Sequence, residues 1–327
     1  MLVDILLILV GAVLVMVGAD KLTDGAVGIA RRFAIPELVI GLTIVAFGTS
    51  LPEFVVSLFA SINHSPDLSV GNIVGSNIFN TLMILGATAV VTPIVVERSS
   101  VWRDIPFNLL ITVVFVALIL DSLTDASAPN RLSRLDGMVL LAFFAFFMYN
   151  MLSRARHKSA VSADAGGDDA SVSEAPAPVW KLVVLVLIGL AGLILGGEVF
   201  VRGARSIAVE LGVSEAVIGL TVVACGTSLP ELATSVMAAR KGSSGIAVGN
   251  VVGSNVFNVL WILGACSVVT PLPALGLTIV DYATLLLSML LFWLFARTGY
   301  KITRFQGILL LLVFVAYMVW LVGKATL

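Results

Sequence analysis

Apolar residues fill this chain in blocks of bilayer length, separated by short polar intervals. A helix of about 20 apolar residues crosses the roughly 30 Å hydrocarbon layer. By that measure spans are predicted near 2–30, 37–61, 68–91, 104–121 and 136–153, then near 179–208, 215–239, 246–269, 278–296 and 303–323. The polar positions inside these blocks are not scattered. Residues 48–53 and 226–231 both read Gly-Thr-Ser-Leu-Pro-Glu, and each is followed in the next block by Gly-Ser-Asn-x-Phe-Asn, at 75–80 and 253–258. One offset of 178 residues relates all of these positions. Residues 39–94 and 217–272 align without a gap, with roughly 34 of 56 positions identical. The chain is therefore a duplication, with a first five-span repeat at 1–153 and a second at 179–327.

Between the repeats, residues 154–178 change character. The run Ser-Ala-Asp-Ala-Gly-Gly-Asp-Asp-Ala-Ser is small, polar and acidic, and Pro176 and Pro178 close it. This is the composition of a flexible linker, too short and unpatterned for Asp164, Asp168, Asp169 and Glu174 to make a folded Ca²⁺ domain. Lysine and arginine then orient the bundle, because they accumulate in cytoplasmic loops. With the N-terminus outside, fourteen fall on the inner side, among them Arg31, Arg32, Arg98, Arg103, Arg240, Lys241 and Arg297, against five outside. Both termini are expected outside, with the linker cytoplasmic. Five spans per repeat is an odd number, so the second copy must enter the membrane inverted. The first span of each repeat carries charges in its second half (Asp20, Lys21 and Asp24; Glu198, Arg202 and Arg205), which predicts a tilted helix or one that leaves the bilayer before it ends.

Composition narrows the class. Of 327 residues, 59% are apolar and 12% charged, and mean hydropathy is +1.09, whereas soluble domains have about 45–50% apolar and about 25% charged residues. A net charge of −1 implies no nucleic-acid partner. Cys225 and Cys266 lie in apolar segments and are expected as buried free thiols. The opening Met-Leu-Val-Asp has no basic run before its apolar block, so it reads as a retained span rather than a cleaved signal.

The candidate chemistry lies in the duplicated blocks. Pro52 and Pro230 lack an N–H, and their rings clash with the carbonyl four residues back. Each should break its helix and free carbonyl oxygens around 46–49 and 224–227. Ser50-x-x-Glu53 and Ser228-x-x-Glu231 also match a capping box, predicting a half-helix that starts at the serine. A kink with its cap explains the serine, but not an acid at bilayer depth. Such an acid costs about 2.5–3.5 kcal/mol on insertion scales and marks function by default. Ser76 and Asn80 share one face of the next helix, as do Ser254 and Asn258. Gly71, Gly75, Gly249 and Gly253 are small enough for close helix approach.

Together these supply two carboxylates, the hydroxyls of Thr49, Ser50, Thr227 and Ser228, two amide oxygens and freed carbonyls, all hard oxygen donors. His64 and His157 lie outside the spans and no thiol cluster is present, which suits Ca²⁺ or Na⁺ over softer metals. No Lys or Arg occurs in the motif segments, so the cargo is cationic. Two ionised carboxylates about 4 Å apart repel by roughly 4 kcal/mol at an effective dielectric near 20. The loaded site can cross a hydrophobic gate more easily than the empty one, which points to obligatory exchange by alternating access. A hydrolase is disfavoured: Ser50 and Ser228 have no Lys or His in their spans and no Gly-x-Ser-x-Gly elbow. A cation channel would use the same ligands without a counter-ion.

Gly-Thr-Ser-Leu-Pro-Glu and Gly-Asn-x-Val-Gly-Ser-Asn-x-Phe-Asn resemble the two alpha-repeat signatures of the Na⁺/Ca²⁺ exchanger family, within the cation/Ca²⁺ antiporter superfamily. The resemblance covers both repeats. It implies an all-α protein of ten transmembrane helices in two inverted repeats, with broken helices 2, 3, 7 and 8 forming the core and four clustered cation sites. It further implies that Glu53, Glu231, Thr49 and Thr227 form the central Ca²⁺ site. Ala46, Ser50 and Ser76 would hold Na⁺ with Glu53 on the inner side; Ala224, Ser228 and Ser254 would hold Na⁺ with Glu231 on the outer side. Asn80 and Asn258 would line the middle position, and the first spans would slide across the core. No prosthetic group is implied; the partners are Ca²⁺, Na⁺ and lipid, in a protein that works as a monomer in a prokaryotic inner membrane. Some relatives, including K⁺-dependent ones, have aspartate where this chain has Asn258, which weakens K⁺ coupling here. Proton-coupled relatives tend to carry a further charge in the Gly-Asn helix, and residues 71–75 have none. Na⁺ coupling therefore leads, with Ca²⁺/H⁺ exchange the alternative.

Overall fold

The computed structural model describes residues 1–62, 66–121, 130–164, 177–211, 224–274 and 277–326. Twelve helical segments account for nearly all of them. The first repeat holds α1 (Leu2–Arg32), α2 (Glu37–Thr49), α3 (Leu51–Ile62), α4 (Leu68–Val91), α5 (Ser100–Ile119) and α6 (Arg134–Asp164). The second holds α7 (Val179–Glu210), α8 (Ala224–Thr227), α9 (Leu229–Arg240), α10 (Ser244–Val269), α11 (Ile279–Arg297) and α12 (Arg304–Thr326). Eight of these are long and apolar enough to cross a membrane. The pair α2–α3, bent by 47° at Ser50, makes a ninth. The expected span at 215–239 begins among residues outside the described set, as do His64, Asp168, Asp169 and Glu174. Helix α6 continues past residue 153 to Asp164.

Proline breaks the second span where expected: α2 ends at Thr49 and α3 begins at Leu51. The same interruption falls at Ser228, between α8 and α9. The expectation of broken third and eighth helices is corrected. Both α4 and α10 run through, and each carries instead a π-helical turn, at Phe79–Ile84 and Phe257–Leu263. Neither segment contains proline, so every residue keeps its N–H, and one wide turn accommodates the irregularity without ending the helix.

Equivalent helices of the two repeats meet and run antiparallel. Along α1 and α7, Gly11 faces Gly196 and Phe200, Gly18 faces Gly189 and Leu193, and Gly25 faces Leu182 and Val186. A Cβ on Gly18 would lie 2.7 Å from the Leu193 amide nitrogen, and one on Gly189 2.5 Å from that of Leu22, so the backbones approach as closely as glycine allows. Helix α10 lies alongside α2: Gly249 and Gly253 pack against Leu38 and Leu42. At Gly71 and Gly75 a Cβ would meet nothing within 4 Å among the described residues. The second-repeat counterparts of Leu38 and Leu42, residues 216 and 220, lie outside that set.

The main core is formed by α2, α4, α5, α6, α10 and α11, with Phe115, Phe292, Leu82 and Ile105 fully buried. Two short antiparallel ladders that the hydropathy pattern does not announce tie the repeats together. They are β1 (Ile94–Val95) on β4 (Lys301–Ile302), and β2 (Arg131–Leu132) on β3 (Leu272–Pro273). Cys225 is half-buried and Cys266 buried, and both are free thiols. Lys241, just after α9, reaches α1, with its ammonium 2.6 Å from both Asp20 and Asp24. Partial burial opposes its charge, but the two carboxylates outweigh this and raise its pKa above the ordinary lysine value.

A candidate cation site between the repeats

The helix breaks at Ser50 and Ser228 lie where α2–α3 and α8–α9 face α4 and α10. Each break starts a half-helix whose first turn carries the acid, Glu53 or Glu231. Both glutamates are 1% exposed. The capping box expected at Ser228 does not form, since no side-chain cap bond is made there. Its hydroxyl donates instead to Glu53 Oε1 at 3.1 Å, and Ser50 donates to Glu231 Oε1 at 3.2 Å. The physical reason is burial. An ionisable oxygen enclosed in protein gains more from a hydroxyl than does a backbone N–H at a helix start. Each carboxylate is thus held by a serine of the other repeat, which brings the two motifs into one cluster.

Around this pair the remaining residues are placed as follows. Ser76 Oγ lies 3.5 Å from Ser228 Oγ, on the Glu53 side. Thr49 is fully buried; its hydroxyl lies 3.1 Å from the Val45 carbonyl, 3.3 Å from that of Ala46 and 3.1 Å from Asn250 Oδ1. The Ala46 carbonyl also accepts from Ser50 N–H at 3.0 Å. Thr227 is half-buried, and Ala224 opens α8. Ser254, Asn80 and Asn258 are buried on α10 and α4 at the height of the π turns.

One feature of this cluster is chemically directive. The second oxygens of both carboxylates (Glu53 Oε2 and Glu231 Oε2), both amide oxygens (Asn80 Oδ1 and Asn258 Oδ1) and Ser254 Oγ are buried with no hydrogen-bond partner among the described residues. A buried oxygen without a partner is costly, and here five are gathered among residues of one duplicated motif. Four of the five can only accept. Such a set suits hard cations and offers nothing to an anion. Among the described residues no group of three or more His, Cys, Asp or Glu side chains could hold a metal ion.

A family model described as sodium/calcium exchanger protein matches residues 3–153 and 181–323, both repeats and little else. The chain belongs to the sodium/calcium exchanger family. It is 31% identical over 342 residues to the sodium/calcium exchanger MaX1 of Methanosarcina acetivorans, covering 97% of this chain and 98% of that one. It is 37% identical over 329 residues to the inner membrane protein YrbG of Escherichia coli, covering 98% of each. Among solved structures, the sodium-calcium exchanger NCX_Mj soaked with 100 mM Na⁺ and 10 mM Sr²⁺ superposes with a TM-score of 0.81 at 36% identity, over 97% of this chain and 98% of that one. This sodium/calcium exchanger family member is accordingly an integral membrane antiporter rather than a member of an enzyme family.

Motif reading overlooked several residues of the exchanger's polar centre. Asn250 holds the backbone at the acid, donating to the Glu231 carbonyl at 3.1 Å and to Ser235 Oγ at 3.0 Å. In the first repeat its counterpart Asn72 donates to Ser57 Oγ at 3.1 Å. Asn77 and Asn255 bond across the two repeats. A signal was present: all four asparagines are identical between the copies, although the surrounding apolar residues drift.

Proposed function

We propose that this protein exchanges Na⁺ for Ca²⁺ by alternating access, binding its cargo at mid-membrane between Glu53 and Glu231. The observation that carries this reading is the set of five unpartnered buried oxygens beside two carboxylates, each anchored by the other repeat's serine. Thr49, Thr227, Ser50, Ser228, Ser76, Ser254, Asn80 and Asn258, with the carbonyls of Ala46 and Ala224, complete the ligand set. Two negative charges match one Ca²⁺, and the neutral oxygens allow several Na⁺ to share the same volume. An unloaded site leaves like charges facing each other, so the protein changes face with cargo aboard, which favours exchange over uniport.

The arrangement is a ten-span bundle of two inverted five-span repeats joined by a cytoplasmic linker, with both termini outside. The antiparallel course of α1 against α7 supports the inversion, and the fourteen-to-five excess of Lys and Arg supports the orientation. The setting is a prokaryotic inner membrane, and the monomer is the working unit, because each site is built within one chain.

The deciding measurement is ⁴⁵Ca²⁺ uptake into proteoliposomes loaded with Na⁺. Uptake driven by the outward Na⁺ gradient and insensitive to a protonophore is expected. Collapse with protonophore, with Na⁺ irrelevant, would mean Ca²⁺/H⁺ exchange. Uptake that needs neither gradient nor internal exchangeable Ca²⁺ would mean a channel.

A further inference from the structure

An asparagine side chain has two ends with opposite value to a cation: its oxygen ligates and its NH₂ repels. Which end of Asn80 and Asn258 faces the site therefore decides whether these residues help or hinder binding. Neither residue sets this by itself.

We propose that Asn77 and Asn255 are positioning residues that fix the side-chain amides of Asn80 and Asn258 with their oxygens toward the cations. This rests on the exchange reading above, in which Asn80 and Asn258 supply oxygen ligands. The argument starts from backbone carbonyls, because a carbonyl can only accept. The Asn255 carbonyl lies 3.3 Å from Asn77 Nδ2, so Asn77 must present its nitrogen there. Its Oδ1 then faces Asn258, whose Nδ2 donates to it at 2.9 Å. That leaves Asn258 Oδ1 as the end without a partner among the described residues.

The other chain begins at the Asn77 carbonyl, which receives the Thr81 hydroxyl at 2.9 Å. A hydroxyl has one proton, so Thr81 Oγ1 can only accept from Asn255, whose Nδ2 lies 3.0 Å away. Asn255 Oδ1 is thereby turned to Asn80 and receives its Nδ2 at 3.1 Å. Asn80 Oδ1 is left without a partner among the described residues. The two chains interlock, because each starts on the main chain of the asparagine whose side chain carries the other. Reversing any one amide would set two donors or two acceptors face to face among buried side chains. All four asparagines and Thr81 are at most 1% exposed.

A purely structural role, pinning α4 to α10, would use the same bonds, so the test must separate orientation from packing. Leucine at 255 removes the acceptor facing Asn80, and leucine at 77 removes the one facing Asn258. Aspartate at 255, buried and so held in its protonated form, keeps both an acceptor toward Asn80 and an O–H donor toward Thr81 at nearly unchanged size. In Na⁺-loaded proteoliposomes, Asn255→Leu and Asn77→Leu are expected to raise the half-saturating Ca²⁺ about tenfold, equivalent to ~1.4 kcal/mol, with maximal rate within about threefold of wild type. Asn255→Asp is expected to stay within about threefold of wild type in half-saturating Ca²⁺, because the amide of Asn80 keeps its anchor. Leucine variants with wild-type half-saturation would overturn the inference, as would an aspartate variant as impaired as the leucine one. Should the leucine variants fail to insert, the aspartate variant still decides, since a tenfold rise there contradicts an orienting role. Glu53→Gln serves as the control on the underlying reading: retained exchange in it defeats the site assignment itself, whereas lost exchange together with unaffected leucine variants defeats only the positioning role.

Discussion

Serine and glutamate trade partners across the duplication, and that exchange gives the centre its chemistry. Ser50 belongs by sequence to the helix of Glu53 but binds Glu231, and Ser228 does the reverse. One oxygen of each acid is held by that serine, and the other is buried with no partner among the described residues, which under the exchange proposal leaves it for cargo. Glutamine at 53 or 231 keeps the size and an acceptor for the serine but removes one of the two charges. A site with one carboxylate cannot balance a divalent ion. Glu53→Gln and Glu231→Gln should each lower Na⁺-driven Ca²⁺ uptake by at least about a hundredfold, on the order of 3 kcal/mol, while the protein still reaches the membrane in normal amount. Uptake normalised to the quantity of inserted protein checks this. Near-normal transport in either variant would remove these residues from the site.

Helices α1 and α7 meet at glycines spaced seven residues apart, at Gly11, Gly18 and Gly25 on one side and Gly189, Gly196 and Gly203 on the other. Without side chains at these points the two backbones touch, and dispersion between them replaces the hydrophobic drive that lipid does not provide. Lys241 adds an ion-pair tie from α1 to the end of α9, although exposed pairs of this kind contribute little. The glycine seam makes a local prediction. Gly189→Val forces a Cβ to within 2.5 Å of the Leu22 nitrogen and must separate the helices. It should lower thermal stability in detergent by about 1–3 kcal/mol. Gly197→Ala, whose Cβ would lie 3.7 Å from the Gly226 carbonyl, an ordinary contact, should unfold with the wild type. Equal stability of the two variants would mean that the seam is not a tight contact.

The whole molecule carries the consequence of moving charge. If three Na⁺ leave for each Ca²⁺ that enters, one net positive charge crosses outward per cycle, and the membrane potential contributes about 2.3 kcal/mol per 100 mV. Clamping the vesicle interior positive should then raise Ca²⁺ accumulation, and clamping it negative should lower it. A response flat across the clamped range would require an electroneutral ratio. Asn258, neutral in this chain, keeps the count of acidic ligands at two, so K⁺ is expected to have no effect on the coupling.

The duplication, the nine apolar helices found here and the proline break at Ser50 were all legible in the sequence. These features depend on local backbone chemistry and on hydropathy, which each segment carries by itself. Duplication also marked Asn72, Asn77, Asn250 and Asn255 by their identity between copies, but sequence offered no way to say what they touch. The tertiary structure decided the rest. It turned the serines from their own helix starts to the opposite carboxylates, kept α4 and α10 continuous through π turns, and built the β1–β4 and β2–β3 ladders from loops far apart in the chain. Each of those outcomes is a choice among hydrogen-bond partners, and a buried polar group chooses by what the fold brings within 3 Å or so of it, which no single segment contains.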